Sequence, residues 1–403
     1  MSLMQLSLYP VSADVSPTVK HYPICVTPEI LELLAADAVV AIGVSGGKDS
    51  SAVAVRTVKL LNELGHRGPI VLIHSDLGRI EWRDSFSICR RLAETLGLEL
   101  IVVRRRSGDM LDRWRQRWND NVDRYASLSC VQLILPWSTP SMRFCTSELK
   151  QQVICRELVK RFPGRAILSV SGIRREESTR RAQSPVFRPQ ELLCRTSSDN
   201  IGYDWHPILD WTLAQVLGFL HSEGIPLHEA YTRYNSSRVS CCFCILASKH
   251  DLIASSTCAE HRPMYCALVA LEAVSTFAFQ ERQWLADVAP HLLPTELKEE
   301  IARAKAAAEE RMRAEAQIPK HLLYTKGWPT CIPSAEEARL LAHIRMRVAA
   351  AVKLRIEYTQ PEAIIKRYED LIEAKLLKDE ASRCAISGKG RSAGLRFRKN
   401  PSE

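Results

Sequence analysis

At 403 residues the chain is long enough for an α/β core and an additional helical region. No stretch approaches the ~18–20 apolar residues of a membrane span, and Met1–Pro17 lacks the basic start and apolar block of a secretory signal, so a cytoplasmic location is expected. Thirteen cysteines, an odd number in such a chain, argue for reduced thiols or metal ligands over disulfides, and a net charge of +9 suits a nucleotide or nucleic-acid partner without demanding one.

Residues 1–27 show no regular pattern. The apolar run Ala38–Val44 predicts a buried strand, and it ends in Ser45-Gly46-Gly47-Lys48-Asp49-Ser50-Ser51. Adjacent glycines let a backbone approach a ligand closely. A helix starting near Lys48 offers unpaired N–H groups and a positive dipole end. Ser45, Ser50 and Ser51 add hydroxyls and Lys48 a point charge, so the turn suits a phosphate chain. It is not the G-x-x-x-x-G-K-[ST] loop, because a glycine pair directly precedes the lysine and an aspartate follows it. A helix over 48–65, a strand Pro69–His74, a helix over 82–96, a strand Glu99–Val103, a helix over 146–161 and a strand Arg165–Val170 come next. This alternation predicts an α/β fold, a parallel sheet with helices on both faces in a Rossmann-like arrangement. Ligands in such sheets sit at the carboxyl ends of the strands, which puts the Gly46-Gly47 turn, Asp76 and Gly172 along one edge.

Residues 104–144 fit the alternation poorly and read as a helical insertion over the active site. There Arg104, Arg105, Arg106, Arg113, Arg115 and Arg117 accompany Trp114, Trp118 and Trp137. The mixture suits a nucleic-acid surface, and equally a helix with a buried aromatic stripe. From about 260 the segments 263–287, 295–316, 334–356 and 361–377 read as helices. Arg383–Lys399 is basic, glycine-bearing and without an acid: a flexible tail, either simply solvated or in contact with a phosphate backbone. The expected division is therefore 1–27 irregular, 28–260 nucleotide-binding, 261–380 helical and 381–403 basic tail.

The motif Ser45–Ser50 resembles the PP-loop of the ATP pyrophosphatases, which cleave ATP between the α- and β-phosphates. Later segments extend the resemblance to the phosphoadenosine phosphosulfate (PAPS) reductase family. His74-Ser75-Asp76-Leu77-Gly78 resembles its Asp-Thr-Gly segment, with Glu81 following at a similar distance to an acidic residue there. Arg143–Lys150, with Cys145 inside it, is similar to R-x-C-T-x-x-L-K, and Gly172–Arg181 to G-x-R-x-x-E-S-x-x-R. Pro207–Trp211 resembles P-I-x-D-W, with Gln215 where the family often has aspartate. Arg238–Cys244 resembles R-x-G-C-x-x-C, with Ser240 in place of the glycine. The resemblance covers roughly 35–250, with five ordered segments following the loop. The thioredoxin-coupled reductases carry a C-terminal E-C-G-L-H motif, which is missing around Cys384. The resemblance therefore points to members lacking that tail, such as the phosphorothioation proteins that modify DNA, and more distantly to tRNA-thiolating PP-loop enzymes.

The resemblance implies ATP and Mg²⁺ as cofactors, an adenine nucleotide held by Ser45, Gly46, Gly47, Lys48, Asp49, Ser50, Ser51, Asp76 and Gly172, and chemistry through Lys48, Asp49 and Arg174. Arg143, Lys150, Arg174, Glu177 and Arg181 are the expected substrate contacts; the arginines could clamp an oxyanion or form surface salt bridges with Glu148, Glu176 and Glu177. Asp49 and Asp76 are candidates for Mg²⁺, ribose or adenine contacts, and Asp49 could instead cap its helix. Cys241, Cys242, Cys244 and Cys258 are candidate ligands of an iron–sulfur cluster or Zn²⁺, with ligand-free buried thiols and redox-active thiols as the alternatives. The expected function is ATP cleavage to pyrophosphate and an adenylated acceptor, for sulfur transfer or nucleic-acid modification. The partners expected with it are DNA or RNA and a sulfur-donor protein, and no membrane. The alternatives are a PAPS or adenylyl-sulfate reductase, and a nucleic-acid-binding subunit with a nucleotide switch.

Overall fold

A computed structural model describes residues 22–194, 198–281 and 283–389, with side chains described as far as 381. The irregular segment expected over 1–27 is described only from Tyr22, and the side chains of the basic run Arg383–Lys399 lie outside the described residues. The chain forms two compact units. The first takes in residues up to Trp114, Trp137–Val269 and Ala278–Pro294; the second takes in Arg115–Pro136, Ala270–Phe277 and the chain from Thr295.

The first unit is built on the alternation seen in the sequence. After α1 (Pro28–Ala35) come β1 (Val39–Gly43), α2 (Lys48–Glu63), β2 (Ile70–Asp76), α3 (Arg83–Leu96) and β3 (Glu99–Arg104), which leads into α4 (Met110–Ala126). A short α5 (Phe144–Thr146) runs through a π-turn at Ser147–Gln151 into α6 (Gln152–Arg161) and β4 (Ala166–Val170). Then follow α7 (Thr179–Ala182), β5 (Phe187–Pro189), β6 (Ile201–Trp205), α8 (Leu213–Ser222), α9 (Glu229–Thr232), α10 (Lys249–Ser256) and α11 (Arg262–Ser275), of which the residues up to Val269 belong to this unit. The six-stranded sheet has the order β3-β2-β1-β4-β6-β5. All neighbours are parallel except the edge strand β5, which runs antiparallel to β6 with Phe187 opposite Trp205. Register is fixed by pairs such as Val40–Ile70 and Val39–Ile167.

The central strand β1 is buried on both faces, as its continuous Val-Val-Ala-Ile run requires. Val40 and Ile42 join a core with Val53, Leu61, Cys89, Leu92 and Phe219 from α2, α3 and α8. Val39 and Ala41 face the other way, onto Cys155 and Leu158 of α6. Helices therefore cover both faces. Gln215, where the resembled family often has aspartate, closes a capping box: its side-chain oxygen accepts the Thr212 N–H at 2.8 Å while Thr212 Oγ1 accepts the Gln215 N–H at 3.2 Å.

The tryptophans at 104–144 do not form a stacking surface for bases. Trp114 and Trp137 are buried against one another and Phe279, with centroids 4.9–6.0 Å apart. Arg113 pairs with Glu148, Nε to Oε2 at 2.6 Å. The reason is packing: tryptophan at helical spacing along α4 has more area to bury than to expose.

In the second unit α12 (Thr295–Glu315) packs on α13 (Ala335–Val352), and α13 on α14 (Pro361–Lys389). Trp118 is buried there against Phe277. The described backbone of α14 stays helical to Lys389, past the expected end at 377. Ala374 to Ala381 contains no glycine or proline to stop it. Arg345 is fully buried and donates to the Tyr125, Ala126 and Glu357 carbonyls at 3.0–3.2 Å, closing the carboxyl end of α4.

Candidate functional site

The carboxyl edge of the sheet opens into a cavity of about 530 Å³. Its floor is the turn between β1 and α2. Gly46 has φ +75°, and a Cβ there would stand 2.9 Å from the Ser85 backbone. Ser50 Oγ accepts the Ser45 N–H at 3.2 Å and donates to the Gly47 carbonyl at 2.8 Å, which folds the turn over the first turn of α2. Ser45, Gly47, Lys48, Asp49 and Ser50 line the cavity. Ser51 is buried behind them, its N–H on the Gly47 carbonyl at 3.0 Å.

Lys48 is buried, with Nζ 3.0 Å from Asp49 and 5.1 Å from the Tyr231 ring centroid. The Tyr231 hydroxyl accepts the backbone N–H of Lys48 at 3.3 Å and of Val239 at 3.2 Å, so it pins the start of α2 to the segment before the cysteines. Burial pushes the Tyr231 phenol up and keeps it protonated. Tyr231 lines the cavity, seven residues before the quoted segment Arg238–Cys244.

Arg174 does not reach the cavity. It is 4% exposed, with Nε 2.6 Å from Asp49 Oδ1 and Nη1 on Glu176. Its place is behind Asp49, where it sets the carboxylate; sequence spacing could not distinguish that from substrate contact. Asp76 is also off the cavity wall. Its Oδ1 accepts the Gly78 N–H at 2.7 Å and its Oδ2 lies 3.6 Å from Arg104 Nε. Asp49 is held between two cations and Asp76 is taken up in a turn, so neither offers a bare carboxylate for a protein-held Mg²⁺. Gly172 is required where it stands, because a Cβ would collide with the Asp49 carbonyl.

Arg143, Lys150, Glu177 and Arg181 line the cavity, and Arg181 pairs with Glu177. The wall also includes Glu81. Its Oε2 lies 3.2 Å from Nε2 of His74, while His74 Nδ1 meets the Val44 carbonyl at 3.0 Å. Two acceptors on one ring favour the imidazolium. Burial opposes that charge, but hydrogen bonds with Cys89 and to the Glu81 carboxylate outweigh it and raise the His74 pKa to about 10. His206, 4% exposed, lines the cavity too and holds Ser171 Oγ at 3.0 Å through Nδ1. It directly precedes the quoted Pro207 segment and was not singled out from sequence.

The four cysteines expected as ligands do not form one set. Cys241 and Cys244 line the cavity, joined there by Cys145. Cys242 and Cys258 are buried away from it, at 2% and 4% exposure: Cys242 is turned away from its neighbour Cys241, and Cys258 lies beyond α10. Among the described residues no three His, Cys, Asp or Glu side chains are arranged to hold a metal ion. Cys145, Cys241 and Cys244 share the cavity wall and have the donor chemistry of a thiolate-bound centre, but they are not arranged as a ligand set. Cys241, half-buried by surface but deep among packed neighbours, has its thiol pushed up to about 12 by loss of solvation and by Cys244.

Among the described residues no helix is long and apolar enough to cross a membrane. No curated protein matches the chain. Among solved structures it is similar to phosphoadenylyl-sulfate reductase from Candida auris in a phosphate complex, at 13% identity and TM-score 0.33, covering 54% of this chain and 97% of that one. It is also similar to the U34-tRNA thiolase NcsA from Methanococcus maripaludis with its [4Fe-4S] cluster, at 16% identity and TM-score 0.33, covering 61% of this chain and 74% of that one. Residues 39–247, just over half of the chain and the span that carries the sheet and the cavity, match the phosphoadenosine phosphosulfate reductase domain, and the chain belongs to that family.

Proposed function

We propose that the protein cleaves ATP between the α- and β-phosphates, releasing pyrophosphate and forming an adenylated acceptor for sulfur transfer or nucleic-acid modification. The observation that carries this reading is the glycine turn of β1 and α2, with buried Lys48, opening into a cavity whose other wall bears Arg143, Lys150 and Arg181. The β- and γ-phosphates lie in loop 45–51, against the amino end of α2 and Lys48. Arg174 holds Asp49, and Asp49 holds Lys48 toward the anion. An oxygen of the acceptor attacks the α-phosphorus; that P–O bond forms as the bond to the β-phosphate oxygen breaks, and pyrophosphate departs with the bonding pair. Lys48 and the loop N–H groups stabilise the charge on that leaving group. Mg²⁺, if carried by the nucleotide, would supply charge neutralisation at its phosphates, since Asp49 and Asp76 are already engaged. DNA or RNA, drawn by the basic run beyond 382, and a sulfur-donor protein are the proposed partners.

The test is product analysis with α- and γ-labelled ATP. AMP, free or acceptor-linked, and pyrophosphate are expected, with turnover reduced at least tenfold in Lys48→Ala. ADP and orthophosphate would make the loop an ordinary nucleoside triphosphatase. Sulfite from PAPS or adenylyl sulfate without pyrophosphate from ATP would favour the reductase reading, which Cys241 and Cys244 on the cavity wall also suit.

A further inference from the structure

The orientation of one cavity hydroxyl is decided by its neighbours. Ser85 stands in the first turn of α3, lines the cavity and lies against Gly46 of the glycine turn. Among the described residues its hydroxyl has one hydrogen-bond partner, Nε2 of His228 at 3.2 Å. His228 is 1% exposed, and its Nδ1 accepts the Ala230 backbone N–H at 2.9 Å. A backbone N–H can only donate, so Nδ1 carries no proton, and in the neutral ring the proton sits on Nε2. Nε2–H must then donate to Ser85 Oγ. Burial supports the neutral ring by drawing the His228 pKa down to about 4, against the pull of Asp84. The pair is therefore the reverse of a nucleophile and its base: this imidazole cannot take the serine proton, and Ser85 receives rather than gives. The serine hydrogen is left directed away from His228.

We infer that Ser85 is a substrate-positioning donor, turned by His228 so that its hydroxyl gives a hydrogen bond to a pyrophosphoryl oxygen held in loop 45–51. The inference rests on the phosphate-loop reading above. It is independent of the acceptor, because it concerns only the leaving end of the nucleotide.

The experiment titrates the full chain calorimetrically with inorganic pyrophosphate and Mg²⁺, with AMP as the control ligand. Ser85→Ala should weaken pyrophosphate binding roughly tenfold to a hundredfold, the range for a hydrogen bond to a charged group. AMP affinity should be unchanged. Ser85→Thr, which keeps the hydroxyl, should restore pyrophosphate binding, and His228→Phe, which keeps the hydroxyl but not its orientation, should lose part of it. Wild-type pyrophosphate affinity in Ser85→Ala alongside loss in Lys48→Ala overturns the inference and leaves the phosphate-loop reading standing. Equal loss of AMP and pyrophosphate, unrescued by threonine, marks a structural role and also overturns it. Wild-type affinity in both Ser85→Ala and Lys48→Ala overturns the phosphate-loop reading itself.

Discussion

Gly46 shows how one residue couples backbone geometry to the site. Its φ of +75° places it in the left-handed region, and the Ser85 backbone fills the space a side chain would need. Gly46→Ala is expected to cost about 2 kcal/mol or more, from left-handed strain and from displacement of Ser85. Urea unfolding measures the loss, and nucleotide binding should weaken with it; an unchanged midpoint would show that the turn relaxes freely. The glycine pair and lysine were legible because they are contiguous in sequence. Ser85 and His228 were not, because they lie 143 positions apart and nothing local marks either. Arg174 is legible as a cation near the site, but its burial against Asp49 is a tertiary fact.

Between elements, the link from β2 to α4 is electrostatic. Arg79, in the turn after β2, gives Nε and Nη2 to the Asp109 carboxylate at 2.6 and 3.0 Å, just before α4 begins. Burial would raise the Asp109 carboxyl, but the Arg79 hydrogen bonds and the Asp112 and Arg79 backbone N–H groups overcome it and hold it at about 2. A depressed carboxyl stabilises the fold above its ordinary value near 3.8 and loses that contribution as pH falls toward about 2. Asp109→Asn should therefore lower stability at pH 7 by about 1–2 kcal/mol, the half-exposed Arg79 limiting the gain. The difference from wild type should vanish near pH 2, and thermal unfolding across pH 2–7 checks it. At this scale the strands β1 to β4 and their helices were legible from apolar periodicity. β5 and β6 were missed because Phe187–Pro189 is three residues with a proline, and Ile201–Trp205 mixes glycine and aspartate into its run; pairing, not propensity, makes them strands. The π-turn at Ser147–Gln151 was equally silent, since it differs from a helix by a single hydrogen-bond step.

For the whole molecule, the partner is the quantity that composition addresses. The uncompensated run Arg383–Lys399 motivates a polyanion partner, whereas the buried Trp114, Trp118 and Trp137 remove stacking from that argument. Binding through charge alone comes from counterion release, so affinity for duplex DNA or tRNA should fall steeply with salt, with a log–log slope of about −0.7 to −0.9 per phosphate. Deleting 383–403 should flatten that slope without changing pyrophosphate release on a small acceptor. No binding by the full chain at low salt would return the small oxyanion to first place as acceptor. The sequence by itself determined the central strands, the glycine turn and the α/β class, because periodicity and turn chemistry are local properties that neighbouring residues impose on one another. Only the tertiary structure decided which thiols share the cavity wall, which carboxylates are already engaged and which tryptophans are core. Each of those depends on residues brought together from distant segments, and on the burial that results when those segments pack.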